Sequence, residues 1–257
     1  MEHVTSKDGT TIAFDRLGEG SPVILVSGGS TDRMVNVPVV GHLAPRFSVL
    51  NYDRRGRGDS GDTLPYAIER EIEDLDAVIA AAGGSAFVYG TSSGAALALE
   101  AAASGLAIDR LALWEPPFIP EGFPRPPDDQ VEQYERMVAE GRRGDAVAYF
   151  MSNVVGLPPE FVARARNAPF WAGQEAIAHT LAYDARIMGD YSLPAERAPL
   201  VKAPTLVIAG TGIPWMSQSA EALAAAIPDG HARVLEGQSH DVDPAVMARA
   251  VQEFFGD

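Results

Sequence analysis

Gly90-Thr91-Ser92-Ser93-Gly94 constrains this chain more than any other stretch. The apolar, strand-like run Phe87-Val88-Tyr89 leads into Gly90, and the small-residue, helix-forming run Ala95-Ala96-Leu97 leaves Gly94. Between them, Gly-x-Ser-x-Gly puts Ser92 on a sharp strand-to-helix turn. A side chain there is squeezed into an exposed position where bulky neighbours would clash with it. Gly90 and Gly94 remove those clashes. The N–H of Ser93 then points at an anion held over Ser92, at a helix start whose dipole favours negative charge. Glycine, serine and alanine are common in this region, so the weight of the motif comes from the flanking strand and helix. The alternative is a tight turn with no chemistry.

A chain of 257 residues with 46% hydrophobic residues makes one large globular domain, or one domain with a sizeable insertion. The formal charge of −15 argues against nucleic acid or an anionic membrane surface as partner, and its plain reading is solubility. The chain has no cysteine, which excludes disulfides and thiolate metal sites, and no metal site is expected. Met1-Glu2-His3-Val4-Thr5 lacks the basic-then-apolar pattern of a secretory signal, and no apolar run is long enough to span a bilayer. A soluble, cytoplasmic protein acting on a small molecule is the expectation, with a homodimer as one assembly it allows.

Strand patterns fall at Thr11–Asp15, Pro22–Val26, Phe47–Tyr52, Ala86–Tyr89, Arg110–Trp114, Thr205–Ala209 and Ala232–Leu235. Helical spacing falls between them, over part of Val35–Leu43, then Glu69–Ala82, Ala95–Ser104, Gln218–Ala226 and Pro244–Phe255, with Asp243 placed to cap the last helix. This alternation predicts an α/β fold with a mostly parallel, twisted sheet and helices on both faces. The rhythm breaks between Pro116 and Ala203. A proline-rich stretch is followed by helical segments near Asp128–Glu140, Asp145–Val154, Pro159–Arg166 and Glu175–Met188. We therefore expect a core of residues 1–115 and 203–257 with a helical cap, 116–202, inserted between two strands.

Three motifs together resemble the α/β-hydrolase family: Gly90–Gly94, the loop Tyr52-Asp53-Arg54-Arg55-Gly56-Arg57-Gly58-Asp59-Ser60 after a strand, and Gly237-Gln238-Ser239-His240 after the last strand. The resemblance covers nearly the whole chain outside the cap. It implies that Ser92 is a nucleophile and His240 its base, since a serine hydroxyl needs a neighbouring base and the family order is Ser, acid, His. It also implies an oxyanion hole made by the backbone N–H groups of Ser93 and Gly29, the latter in the loop Ser27-Gly28-Gly29-Ser30. The alternative for that loop is a flexible glycine turn. The family usually carries its acid after the strand Thr205–Ala209, but Gly210-Thr211-Gly212-Ile213-Pro214-Trp215-Met216 contains no carboxylate. Some members carry it after the preceding strand, where this chain has Glu115. Glu115 is thus the candidate acid, against a turn-forming role at Pro116-Pro117. Asp241 is the weaker candidate because consecutive side chains point apart.

The arginine-rich loop Asp53–Ser60 suits a tight turn with Arg–carboxylate pairs that fix strand and loop, and no catalytic part is expected of it. Among the aromatics, Phe150, Trp171, Tyr183 and Trp215 are expected to line a pocket over Ser92, although packing between helices is the commoner fate of such residues. The resemblance implies a cofactor-free serine hydrolase acting on an ester, thioester or lactone of a small apolar molecule. A lyase, acyl transferase or perhydrolase on the same fold is a second reading. A binding protein that has lost catalysis is a third.

Overall fold

The computed structural model describes residues 1–256. Eight strands form one sheet: β1 (Glu2–Thr5), β2 (Thr11–Leu17), β3 (Ser21–Val26), β4 (Phe47–Tyr52), β5 (Ala86–Thr91), β6 (Ile108–Trp114), β7 (Thr205–Gly210) and β8 (Gly230–Leu235). Their order is β1-β2-β4-β3-β5-β6-β7-β8. β2 runs antiparallel to both β1 and β4, and every other neighbouring pair is parallel. β1 was not foreseen. It is a short edge strand, paired from Glu2↔Phe14 to Thr5↔Thr11.

Side-chain alternation decides what lies on each face. Val23 and Leu25 of β3 pack with α1 (Val37–Leu43) and α10 (Pro244–Gly256). Ile24 and Val26 pack with α2 (Ile68–Ala82), α3 (Ser93–Ala103) and α9 (Pro214–Ala226). A strand covered on both faces is therefore apolar throughout, as Val23–Val26 is. α10 starts as its sequence suggests: the Asp243 carboxylate accepts from the N–H groups of Ala245 (2.8 Å) and Val246 (3.2 Å).

Between β6 and β7 the chain forms α4 (Gln130–Ala139), α5 (Arg143–Tyr149), α6 (Pro159–Ala165), α7 (Trp171–Ala176) and α8 (Leu181–Met188), and no strand among the described residues. These helices have a core of their own, built from Tyr134, Met137, Val147, Trp171, Leu181 and Tyr183. The far end of α8, at Ile187 and Met188, joins the sheet core instead. The single helix expected over Glu175–Met188 is broken. Ile177 leaves helical geometry (φ −104°, ψ 8°), and the buried Thr180 hydroxyl donates to its carbonyl at 2.7 Å. Such local side-chain bonds compete with the helical ladder. α5 passes into a π turn, Phe150–Val154.

β3 and β5 are neighbours, but the chain runs from β3 to β4 on one side and from β5 to β6 on the other, so their connections leave in opposite directions. Open α/β sheets offer a crevice at such a point, beyond the carboxyl ends of the strands. Here that crevice receives the loop after β3 and the turn after β5. No helix of the described residues is long and apolar enough to cross a membrane.

Candidate active site

Ser92 sits between β5 and α3 at φ 54°, ψ −127°, a backbone conformation that costs a non-glycine residue on the order of 1–3 kcal/mol. The glycines around it are demanded by close approach. A Cβ on Gly90 would lie 2.7 Å from the Ala95 Cα, and one on Gly94 would overlap the carbonyls of Val26 and Ser27. The Ser92 N–H donates to the Trp114 carbonyl at 2.9 Å, which ties the turn to the end of β6. Ser93 is the first residue of α3, so its N–H has no partner within the helix. Neither that N–H nor the N–H of Gly29 donates to a protein acceptor among the described residues. A Cβ on Gly28 would stand 3.0 Å from the Ser92 Cβ, which places the loop after β3 directly against the turn.

His240 lies in the loop between β8 and α10, and its Nδ1 is 2.6 Å from Oε2 of Glu115. Glu115 is buried, at φ 43°, immediately after β6. Its second carboxylate oxygen, Oε1, accepts from the Gly210 N–H at 2.9 Å, and its own N–H donates to the Ile208 carbonyl at 2.9 Å. The Trp114 indole N–H donates to the His240 carbonyl at 3.1 Å. Thr211 and Gly212 donate through their N–H groups to the Gln238 carbonyl, at 2.9 and 3.0 Å. The end of β7 and the segment after it, which carry no carboxylate, thus brace both the glutamate after β6 and the histidine loop.

Ser92, Ser93, Gly29 and His240 line one cavity of ≈ 510 Å³. Its walls include Val39, Ile119, Phe150, Met188, Ile213 and Trp215. Asp184, Asp241 and His240 also face it, and among the described lining residues there is no lysine or arginine. Asp241 makes no contact with His240 like that of Glu115. Phe150 and Trp215 stand where a pocket residue was expected, whereas Trp171 and Tyr183 do not line the cavity. Trp171 packs in the core of the inserted helices, with its indole N–H on Glu175 Oε1 at 2.8 Å. Tyr183 stacks on Tyr66 with ring centroids 3.9 Å apart and donates its hydroxyl to Asp62 at 2.8 Å. Trp171 is used up in helix packing, and Tyr183 in holding α8 to the loop before α2.

A profile described as "Alpha/beta hydrolase family" matches residues 23–255. This chain belongs to the alpha/beta hydrolase family. An alpha/beta hydrolase from Sphaerobacter thermophilus DSM 20745 is 52% identical and superposes with a TM-score of 0.93, over 99% of this chain and 100% of that one. A thermophilic esterase from Thermogutta terrifontis is 25% identical, with a TM-score of 0.74 over 99% of this chain and 97% of that one. The enol-lactonase from Burkholderia xenovorans LB400 is also 25% identical, with a TM-score of 0.74 over the whole of both chains. Among curated proteins, an uncharacterized hydrolase from Bacillus subtilis (strain 168) is 33% identical over 96 residues, so the chain spans only about a third (35%) of that relative's length.

In this alpha/beta hydrolase the arginine loop after β4 makes the Arg–carboxylate pairs anticipated for it, with partners drawn from the whole molecule. Arg54 grips both oxygens of Glu71 at 2.7 Å, and Arg55 grips both of Asp74 at 2.7 Å and Asp8 at 2.9 Å. Arg33 binds Asp53, Asp15 and Asp59. Asp184 escaped the sequence reading. It lies on α8, and both Arg54 and Arg57 bind it at 2.8 Å. The signal was a carboxylate on an otherwise apolar helix face, among Leu181, Ala182, Ala185 and Met188.

Proposed function

We propose that the chain is a serine hydrolase that cleaves an ester, thioester or lactone of a small apolar molecule through an acyl-enzyme on Ser92. The observation that carries this reading is the 2.6 Å contact between His240 and buried Glu115, beside a cavity that Ser92 shares with His240. A carboxylate at Nδ1 holds the proton there and leaves Nε2 as the base. Ser92 Oγ bonds to the substrate carbonyl carbon while its proton passes to His240. The carbonyl oxygen becomes an oxyanion, which takes hydrogen bonds from the N–H groups of Gly29 and Ser93. Collapse breaks the bond to the leaving oxygen or sulfur, which departs with the proton from His240. A water molecule then gives its proton to His240, attacks the acyl carbon and releases the acid, and Ser92 recovers its hydrogen.

The inserted helices act as the cap, with Phe150 and, from the core, Trp215 against the acyl group. An apolar wall with no lysine or arginine among the described lining residues favours uncharged substrates over carboxylates and phosphates. The likeness to an esterase and an enol-lactonase agrees with acyl–oxygen cleavage.

Labelling with a fluorophosphonate probe tests the reading. Ser92 of the wild-type protein should label covalently, Ser92→Ala should not, and an uncharged p-nitrophenyl ester should be hydrolysed only by the former. A wild-type protein that neither labels nor turns over any ester, thioester or lactone overturns the proposal and leaves a binding protein. Transfer of the acyl group to an added alcohol in place of water would instead make the enzyme an acyl transferase.

A further inference from the structure

We infer that Asp184 is a positioning residue that sets both oxyanion donors from the inserted helices. The inference rests on the acyl-enzyme reading above. Asp184 comes from α8, within the inserted helices, and only 5% of its surface is exposed. Its Oδ1 accepts from the Ser93 hydroxyl at 2.8 Å and from Arg54 Nη1 at 2.8 Å, and its Oδ2 accepts from Arg57 Nη2 at 2.8 Å. A Cβ added to Gly29 would stand 3.2 Å from that same Oδ2, so the carboxylate lies directly against the second donor loop.

The arginines carry its influence into that loop. Arg57 Nη1 donates to the carbonyls of Gly28 (2.5 Å) and Thr31 (3.2 Å), and Arg54 Nη1 donates to the carbonyl of Ser27 (3.3 Å). The Gly28 carbonyl and the Gly29 N–H belong to one planar, trans peptide unit, so they point in opposite directions. Holding the carbonyl toward Arg57 therefore aims the N–H away from Arg57. Asp184 fixes the Arg57 guanidinium, and with it the plane of that peptide. Through the Ser93 hydroxyl it also holds the residue that supplies the other donor, on the first turn of α3.

A carboxylate so close to a developing oxyanion would oppose it unless its charge were cancelled. Burial pushes its pKa up, but Arg57 and Arg54 outweigh burial and hold it below the ordinary carboxylate range. Asp184 and Glu71 balance Arg54 and Arg57, two charges of each sign, all buried. The cluster thus gives rigidity without a net negative field.

The test begins with wild-type labelling at Ser92. Absence of labelling and turnover would remove the acyl-enzyme reading and this inference with it. Given a working wild type, Asp184→Asn is compared in steady-state hydrolysis of an uncharged p-nitrophenyl ester, and in binding of a trifluoromethyl ketone, which forms an anionic tetrahedral adduct on Ser92. The expected result is a fall in kcat on the order of a hundredfold with KM within about twofold, the usual cost of donors displaced by about an ångström. The ketone should lose affinity by the same factor. A variant that melts earlier but keeps wild-type kcat and ketone affinity would make Asp184 merely structural and overturn the inference. Should Asp184→Asn fail to fold, Ser93→Ala removes one hydroxyl and no charge. It should lower kcat about tenfold, as much as one hydrogen bond to a charged group, while its melting temperature falls by no more than a few degrees. An unchanged kcat there overturns the inference equally.

Discussion

At the scale of single residues, Glu115 holds two groups at once, the His240 ring at 2.6 Å and the Gly210 N–H at 2.9 Å. That double duty predicts the behaviour of Glu115→Gln. The amide oxygen must face the Gly210 N–H, which needs an acceptor, so the NH2 group turns toward His240. It then donates to Nδ1, forces the hydrogen onto Nε2, and on the proposed mechanism removes the base for Ser92. The variant should keep its melting temperature within a few degrees and lose up to roughly ten-thousandfold in kcat, as in the equivalent change in a serine protease. Steady-state kinetics and thermal melting check this, and near-normal turnover would mean that Glu115 does not orient the histidine. The glutamate was legible through the resemblance, which allows an acid after the apolar run Leu111–Trp114 when, as in Gly210–Met216, the usual place has no carboxylate. Its positive φ was not legible, since only the β6–β7 pairing and the bond to Gly210 impose it.

At the scale of elements, periodicity marked the strands except β1 and the helices of the core, but for the inserted segment it gave neither the break at Ile177 nor the helix faces. Aromatics at helical spacing look the same whether they face a neighbouring helix or a cavity. Trp171 and Tyr183 took the first course, Phe150 the second. The π turn carries Phe150 and Val154 to the cavity, and no propensity marks such a turn in advance. Two substitutions separate the roles. Trp215→Ala should change the ranking of acyl chain lengths by about 1–3 kcal/mol in kcat/KM, the usual value of apolar pocket contacts. Tyr183→Phe should leave that ranking alone and cost about 1 kcal/mol of stability, from the hydroxyl bond to Asp62. A p-nitrophenyl ester series and urea unfolding measure the two effects. An altered ranking in Tyr183→Phe would return that residue to the pocket.

At the scale of the whole molecule, a chain with formal charge −15 keeps the side chains of Arg54, Arg55 and Arg57 almost wholly buried. The arginine-rich turn was recognisable, but its partners were not. Asp8, Glu71, Asp74 and Asp184 lie 17 to 130 positions from the arginines they bind, and no local spacing encodes such pairs. These pairs give stability a dependence on acid. Although burial pushes the Asp8 carboxyl up, the hydroxyl and N–H of Thr10 and the Arg55 guanidinium bring it down to about 2, from an ordinary value of 3.8. A depressed carboxyl contributes stability that is present above pH 3.8 and is lost as pH falls through about 2. Asp8→Asn should therefore cost stability at neutral pH and flatten the fall in stability across that window. Chemical unfolding at a series of pH values reads this out, and parallel acid limbs for variant and wild type would assign the loss to other carboxylates.

The salt-linked seat of α8 also decides how a molecule gets in. Lifting that helix from the sheet would strand the guanidinium of Arg57 and half the pairing of Arg54, and breaking a buried ion pair costs on the order of 3–5 kcal/mol. An opened state would then hold only about one molecule in 150 to one in several thousand. On the proposed function, a substrate would then enter with α8 in place, past the half-exposed Val35 and Val155 that line the cavity. The backbone amides of α8 should accordingly exchange with solvent as slowly as those of α3 beneath it, while those of α6, which buries only Val162, exchange early. Above Ser92, α8 would then stay seated while the lighter parts of the insertion, α6 among them, give way.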